Sequence, residues 1–106
     1  MKDVSWGIVM RFSFKDEKLA ELYVEGKGMN YHLDLIKAFS RTVDQIAAAN
    51  DFRDLHAVKG KRLEKLKGDR AGQYSMRLNQ QYRLIFTIEE DASGNQVLII
   101  EIIDYH

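Results

Sequence analysis

The sequence predicts an α+β fold in which an N-terminal strand and two helices precede a sheet of three or four antiparallel strands. Three observations carry this. Between Leu33 and Ala47 apolar residues recur three and four apart, which is one face of a helix. Beyond residue 62 the pattern changes to alternating and apolar runs separated by Gly-, Asn- and Asp-bearing turns. With 106 residues, 45% of them apolar, the chain has material for one compact core and not for two, so residues 1–106 are expected to form a single domain.

Residues 8–14 read as the first strand, with Val9, Phe12 and Phe14 toward the core. Asp16 and Glu17 put acids on the first turn of a short helix carrying Leu19, Leu22 and Tyr23, and Gly26-Lys27-Gly28 stops it. Asn30 is the expected N-cap of a longer helix running to about Ala49, with Leu33, Ile36, Phe39, Val43, Ile46 and Ala47 as its buried stripe. Residues 51–62 are expected as a loop, 63–66 as a short strand, and Gly68-Asp69-Arg70-Ala71-Gly72 as a turn. Residues 73–79 alternate, with Tyr74, Met76 and Leu78 on one face and Ser75 and Arg77 on the other. Asn79-Gln80-Gln81 turns the chain into a strand from 82 to about 90, and Asp91-Ala92-Ser93-Gly94-Asn95 is a hairpin loop. The last strand, 96–104, is apolar on both faces and therefore central or covered by helices.

Several functions are excluded by what the chain lacks. No apolar run approaches the roughly 20 residues that span a bilayer, and the N-terminus has no long apolar stretch of a signal peptide. Without cysteine there is neither a disulfide nor a thiolate zinc site, and His32, His56 and His106 have no metal-ligand spacing. There is no P-loop, no dinucleotide-binding glycine pattern and no Gly-x-Ser-x-Gly elbow. A cytoplasmic protein with no metal, no cofactor and no membrane partner is expected.

Charge is balanced in total but not along the chain. Residues 53–83 hold nine Lys/Arg against three Asp/Glu, net +6, whereas residues 84–106 hold five acids and no Lys or Arg. The cations are Arg53, Lys59, Lys61, Arg62, Lys65, Lys67, Arg70, Arg77 and Arg83. A local excess of this size suits a polyanion; a solvated basic surface matched by the acidic last strand explains the same charges. The chain ends on Asp104-Tyr105-His106. Cations with a terminal imidazole fit metal-free phosphodiester cleavage, in which an RNA 2′-hydroxyl attacks the adjacent phosphate. That reaction needs one proton removed, another delivered to the leaving oxygen, and charge stabilised on the phosphorane. Arg77 and Arg83 flank a turn, and Arg83 is a candidate for the sheet surface that also carries the chain's end.

Three motifs in order carry a family resemblance: Leu66-Lys67-Gly68-Asp69-Arg70-Ala71-Gly72-Gln73-Tyr74-Ser75-Met76-Arg77, then Tyr82-Arg83-Leu84-Ile85-Phe86, then the terminal Asp104-Tyr105-His106. In them the chain resembles the HigB branch of the RelE/ParE toxin superfamily, the plasmid-maintenance killer proteins of bacterial type II toxin–antitoxin modules. The likeness spans nearly the whole chain, although the first strand is a few residues longer than is usual in the group. It implies a ribosome-dependent mRNA endonuclease that inhibits translation. It also implies a HigA-like helix-turn-helix antitoxin as partner, 70S ribosomes and mRNA as targets, and operator DNA reached only through the antitoxin.

By the resemblance, His106, Tyr105, Asp104 and Arg83 are catalytic, and Lys67 and Arg70 bind phosphate. Arg77, Lys59, Lys61, Arg62 and Lys65 are expected as further RNA contacts. Some members carry a histidine three positions before the lysine; this chain has Glu64 there. A carboxylate at that place is a candidate base or a group that orients His106, or else the mark of weaker activity. Two alternatives use the same fold: a ParE-like gyrase inhibitor, against which the terminal Tyr-His pair argues, and a catalytically weak module that binds ribosome or antitoxin.

Overall fold

The computed structural model describes residues 11–49, 52–57, 62–91 and 94–104. Strand β1 (Arg11–Phe14) is followed by helices α1 (Glu17–Glu25), α2 (Leu33–Ala48) and the single turn α3 (Phe52–His56), and then by strands β2 (Glu64–Lys65), β3 (Tyr74–Arg77), β4 (Tyr82–Asp91) and β5 (Gly94–Asp104). The strands form one sheet in the order β1-β5-β4-β3-β2. The expected antiparallel sheet is β2 to β5. The N-terminal strand joins it as a fifth member and lies parallel to β5, pairing Phe12 with Val97 and Phe14 with Ile99. Strand β5 is thus central, as its two-sided apolar pattern requires.

Helix α1 starts where the acids predict. Asp16 is the N-cap, its carboxylate accepting from the amides of Lys18 at 2.7 Å and Leu19 at 3.3 Å. It stops at Gly26, whose φ of 71° lets its N–H reach the Leu22 carbonyl. Helix α2 departs from expectation at its start. Its N-cap is His32, with Nδ1 accepting from the Asp34 amide at 3.2 Å, and not Asn30. The chain stays extended two residues longer so that Tyr31 can pack edge-on against Tyr82, and that burial outweighs the better capping residue.

The buried stripe of α2 is Leu35, Ile36, Phe39, Thr42, Val43 and Ile46; Leu33 is 56% exposed. At about 100° per residue Leu33 falls roughly 120° from the centre of that stripe, and Leu35 fills the place expected for it. Thr42 is tolerated inside because its hydroxyl donates to the Ala38 carbonyl at 2.8 Å. The Tyr23 hydroxyl donates to Asp44, tying α1 to α2. That hydrogen bond raises the Tyr23 pKa above the ordinary phenol value, with burial and the Asp44 charge adding to it.

Helices α1 and α2 cover one face of the sheet. Leu19, Leu22, Phe39, Val43 and Ile46 meet Met76, Leu84, Phe86, Val97 and Ile99 in one buried cluster. Phe12, Phe14 and Tyr23 close its β1 end, with ring centroids 5.6 to 5.7 Å apart. Residues 52–56, expected within a loop, form α3 because Leu55 is driven wholly into this core. Two apolar residues in a five-residue turn, Phe52 and Leu55, give too short a pattern to read as a helix. The last hairpin is tighter than expected: β4 runs to Asp91 and β5 begins at Gly94, which pair with each other.

The register of β4 on β5 shifts between Ile85 and Phe86: Ile85 faces Glu101 but Phe86 faces Ile99. Ile100 is the extra residue of a β-bulge, which reverses the alternation of β5. On the N-terminal side Val97 and Ile99 face the helices; beyond the bulge Ile102 does, and Glu101 and Ile103 turn to the opposite face.

Phe39→Ala should lower stability by about 3–5 kcal/mol, and Leu33→Ala by no more than about 0.5 kcal/mol, in urea denaturation followed by circular dichroism. Equal losses would contradict the assigned helix face.

Candidate functional site

The face of the sheet away from the helices carries the predicted cations. Arg77 on β3 stands directly opposite Arg83 on β4, Ser75 opposite Ile85, and Glu64 on β2 opposite Ser75. The expected shared face of Ser75 and Arg77 is crossed by Arg83, which the register sets directly opposite Arg77. Arg83 is only 4% exposed. A buried guanidinium needs acceptors, and Arg83 has them: Nε donates to Ser75 Oγ at 2.9 Å, and Nη2 to the backbone carbonyl of Arg62. Nη2 also lies 3.9 Å from Glu64 Oε1. Arg62 holds a φ of 47°, the one positive φ outside glycine among the described residues, and that strained turn aims its carbonyl at Arg83.

Next to this anchored cation lies an open cleft of about 260 Å³. Its floor is Ser75, Ile85 and Ile103, and its rim is Leu66, Lys67, Asp69 and Arg70. The rim is a 3₁₀ turn, Gly68–Arg70, closed by Gly68 at φ 65° and Gly72 at φ 90°. Two backbone bonds hold the turn to β3: Leu66 N–H to the Gln73 carbonyl, and Gln73 N–H to that of Arg70. Arg70 is tethered twice through Nη1, to Glu101 Oε2 at 3.1 Å and to Gln73 Oε1 at 2.9 Å. Chemically this is a small cleft with two rim cations and a third cation beneath its edge, able to take an anion of phosphate size.

The structure therefore brings together Arg83, Glu64, Arg62, Lys67, Arg70 and Arg77. Lys65 is not with them. Its register partner is Tyr74, on the helix-covered face, where it lines a separate hollow with His56 and Leu63. Strand alternation forces this, since its neighbour Glu64 points to the cleft face. Asp104 pairs with Tyr82, also on the helix side, and its carboxylate accepts from Gln81 Nε2 at 3.1 Å. Tyr105, His106, Lys59 and Lys61 lie outside the described residues. Sequence reasoning missed Ser75, Gln73 and Glu101. Ser75 carried a signal, since it shares the alternation of Arg77, but nothing in the order of residues announces that Glu101 serves Arg70. Arg83 thus has Glu64 for its acid, and Arg70 has Glu101.

Among the described residues no cluster of His, Asp and Glu has metal-binding geometry, and no helix is long and apolar enough to cross a membrane.

This helix-covered mixed sheet is the α+β fold of RelE- and YoeB-like toxins. It is similar to the YoeB–YefM complex from Staphylococcus aureus (TM-score 0.56, 24% identity, 92% of this chain and 97% of that one). It is also similar to a YoeB/ParE toxin from Agrobacterium tumefaciens (TM-score 0.54, 14% identity, 92% of this chain and 100% of that one). Residues 12–106 match the model of the HigB-like toxins, described as the RelE-like toxin of type II toxin–antitoxin system HigB. Over 90 residues the chain is 37% identical to Toxin HigB-1 of Vibrio cholerae, covering 84% of this chain and 95% of that protein. The chain belongs to the HigB-like family of RelE-like type II toxins.

Ser75→Ala should cost about 1–3 kcal/mol in urea denaturation, because it removes a buried acceptor from a charged donor. Glu64→Gln should cost about 1 kcal/mol or less, the carboxylate being half exposed and its ion pair long.

Proposed function

We propose that this toxin is a metal-independent endoribonuclease that cuts mRNA on the ribosome and so arrests translation and growth. The observation that carries the reading is the cleft itself, with Lys67 and Arg70 on its rim and the buried Arg83 beside its floor. The 2′-oxygen attacks phosphorus, the 5′-oxygen leaves, and negative charge grows on the two remaining phosphoryl oxygens. A cation held in a poorly solvated site acts on that charge without reorganising, which is what Arg83 supplies; Lys67 and Arg70 meet the phosphate directly. His106 transfers a proton, as an imidazole does near neutral pH. Glu64, beside Arg83, takes up the 2′-hydroxyl proton or orients His106. Tyr105 stacks on a base, and Asp104 orients the terminus. Arg62 and Arg77 contact RNA backbone on the cleft face, and Lys65 does so from its separate hollow; Lys59 and Lys61 add RNA contacts, so affinity falls with salt.

The family and the neighbouring toxin–antitoxin complex support an antitoxin partner, a HigA-like helix-turn-helix protein that reaches operator DNA on the toxin's behalf. The site of action is the cytoplasm, and the whole chain, residues 1–106, acts as one domain.

Induced expression of wild type, Arg83→Ala and His106→Ala in a bacterial host, with primer extension on a translated mRNA, decides the matter. The wild type should arrest growth and give in-frame cuts, and each variant should reduce them by about 100-fold or more. Arrest without cuts would transfer the target to gyrase, and absence of arrest would leave a module that binds without cleaving.

A further inference from the structure

Glu101 stands inside the apolar run Ile99-Ile100-Glu101-Ile102-Ile103. Unbroken alternation would place it on the face of Val97 and Ile99, in the helix-covered core. The bulge at Ile100 turns it outward, opposite Ile85, where its Oε2 lies 3.1 Å from Arg70 Nη1. The same nitrogen donates to Gln73 Oε1 at 2.9 Å. Two acceptors on one terminal nitrogen fix a side chain that is otherwise rich in rotamers. Arg70 Nε and Nη2 bond to none of the described residues, so the fork that remains is the part of Arg70 that can meet an anion in the cleft.

We propose that Glu101 is a positioning residue: it holds Arg70 on the cleft rim in one orientation, so that Arg70 meets the scissile phosphate and not any phosphate in reach. This rests on the ribonuclease reading above. Its physical signature is a division between binding and turnover. Removing the Glu101 charge releases the Arg70 guanidinium from its ion pair, which favours RNA binding in general through Arg70. It also loosens the geometry on which the chemical step depends.

The test uses the full chain and Glu101→Gln, which keeps the side-chain shape. Affinity for a short single-stranded oligoribonucleotide should tighten about two- to fivefold. The slope of log affinity against log salt should steepen by about 0.7, one more neutralised phosphate on a single strand. Cleavage at saturating toxin on ribosomes programmed with a model mRNA should slow about tenfold or more. In an Arg70→Ala background Glu101→Gln should change neither quantity.

A scaffold role alone would weaken binding and cleavage together, and that result would overturn the proposal. Unchanged affinity, or an effect of Glu101→Gln that persists without Arg70, would overturn it too. Should the wild-type chain cleave nothing, the ribonuclease reading falls. The oligonucleotide measurements then still decide whether Glu101 acts through Arg70: a tightening abolished by Arg70→Ala upholds the clamp, and its absence removes it.

Discussion

A guanidinium cannot be taken from water without acceptors arranged around it, and much of this sheet's far face is organised to provide them for Arg83. Ser75 comes from β3, the Arg62 carbonyl from the segment before β2, and Glu64 from β2 itself. Those donors and acceptors bind the short edge strand to the sheet more firmly than its two-residue ladder would. The edge strand in turn leads into the glycine-flanked turn that carries Lys67 and Arg70. Position of the rim cations therefore follows from satisfaction of the buried one.

The second constraint is the bulge at Ile100. A strand with four consecutive apolar residues followed by Glu101 must fit a core on one side and a polar cleft on the other. The extra residue lets β5 give Val97, Ile99 and Ile102 to the helices while Glu101 and Ile103 face the cleft. β1 pairs with β5 as far as Ile99, just before the bulge, while β4 pairs with β5 on both sides of it. The helices contribute indirectly. Their buried stripe covers the opposite face of the sheet, and no residue of α1 or α2 is among the described residues that line the cleft.

The chemistry that results is economical. An anion entering the cleft meets two cations on a turn whose backbone is tied to β3, with the floor partly apolar through Ile85 and Ile103. An apolar floor lowers the local screening and lengthens the reach of the buried charge. Each of the two arginines at the cleft, Arg70 and Arg83, is held by several partners.

Much was legible in the order of residues. The two helices, the alternation of 73–79 and the interior last strand follow from periodicity, which depends on local geometry alone. The three motifs gave the family, because they are runs of specific residues in a fixed order. Other features depended on contacts between residues far apart. His32 caps α2 because Tyr31 finds Tyr82; α3 forms because Leu55 finds the core; β1 joins the sheet by pairing parallel to β5, more than eighty residues away in the chain. Lys65 leaves the cleft and Glu101 reaches Arg70 on its rim through the register of β2 and the bulge in β5. Residue order alone was enough for the two longer helices, the strands and the supply of cations. Only the tertiary structure decided which acid pairs with which arginine, since that choice is made by strand register, and a shift of one residue reverses every side chain.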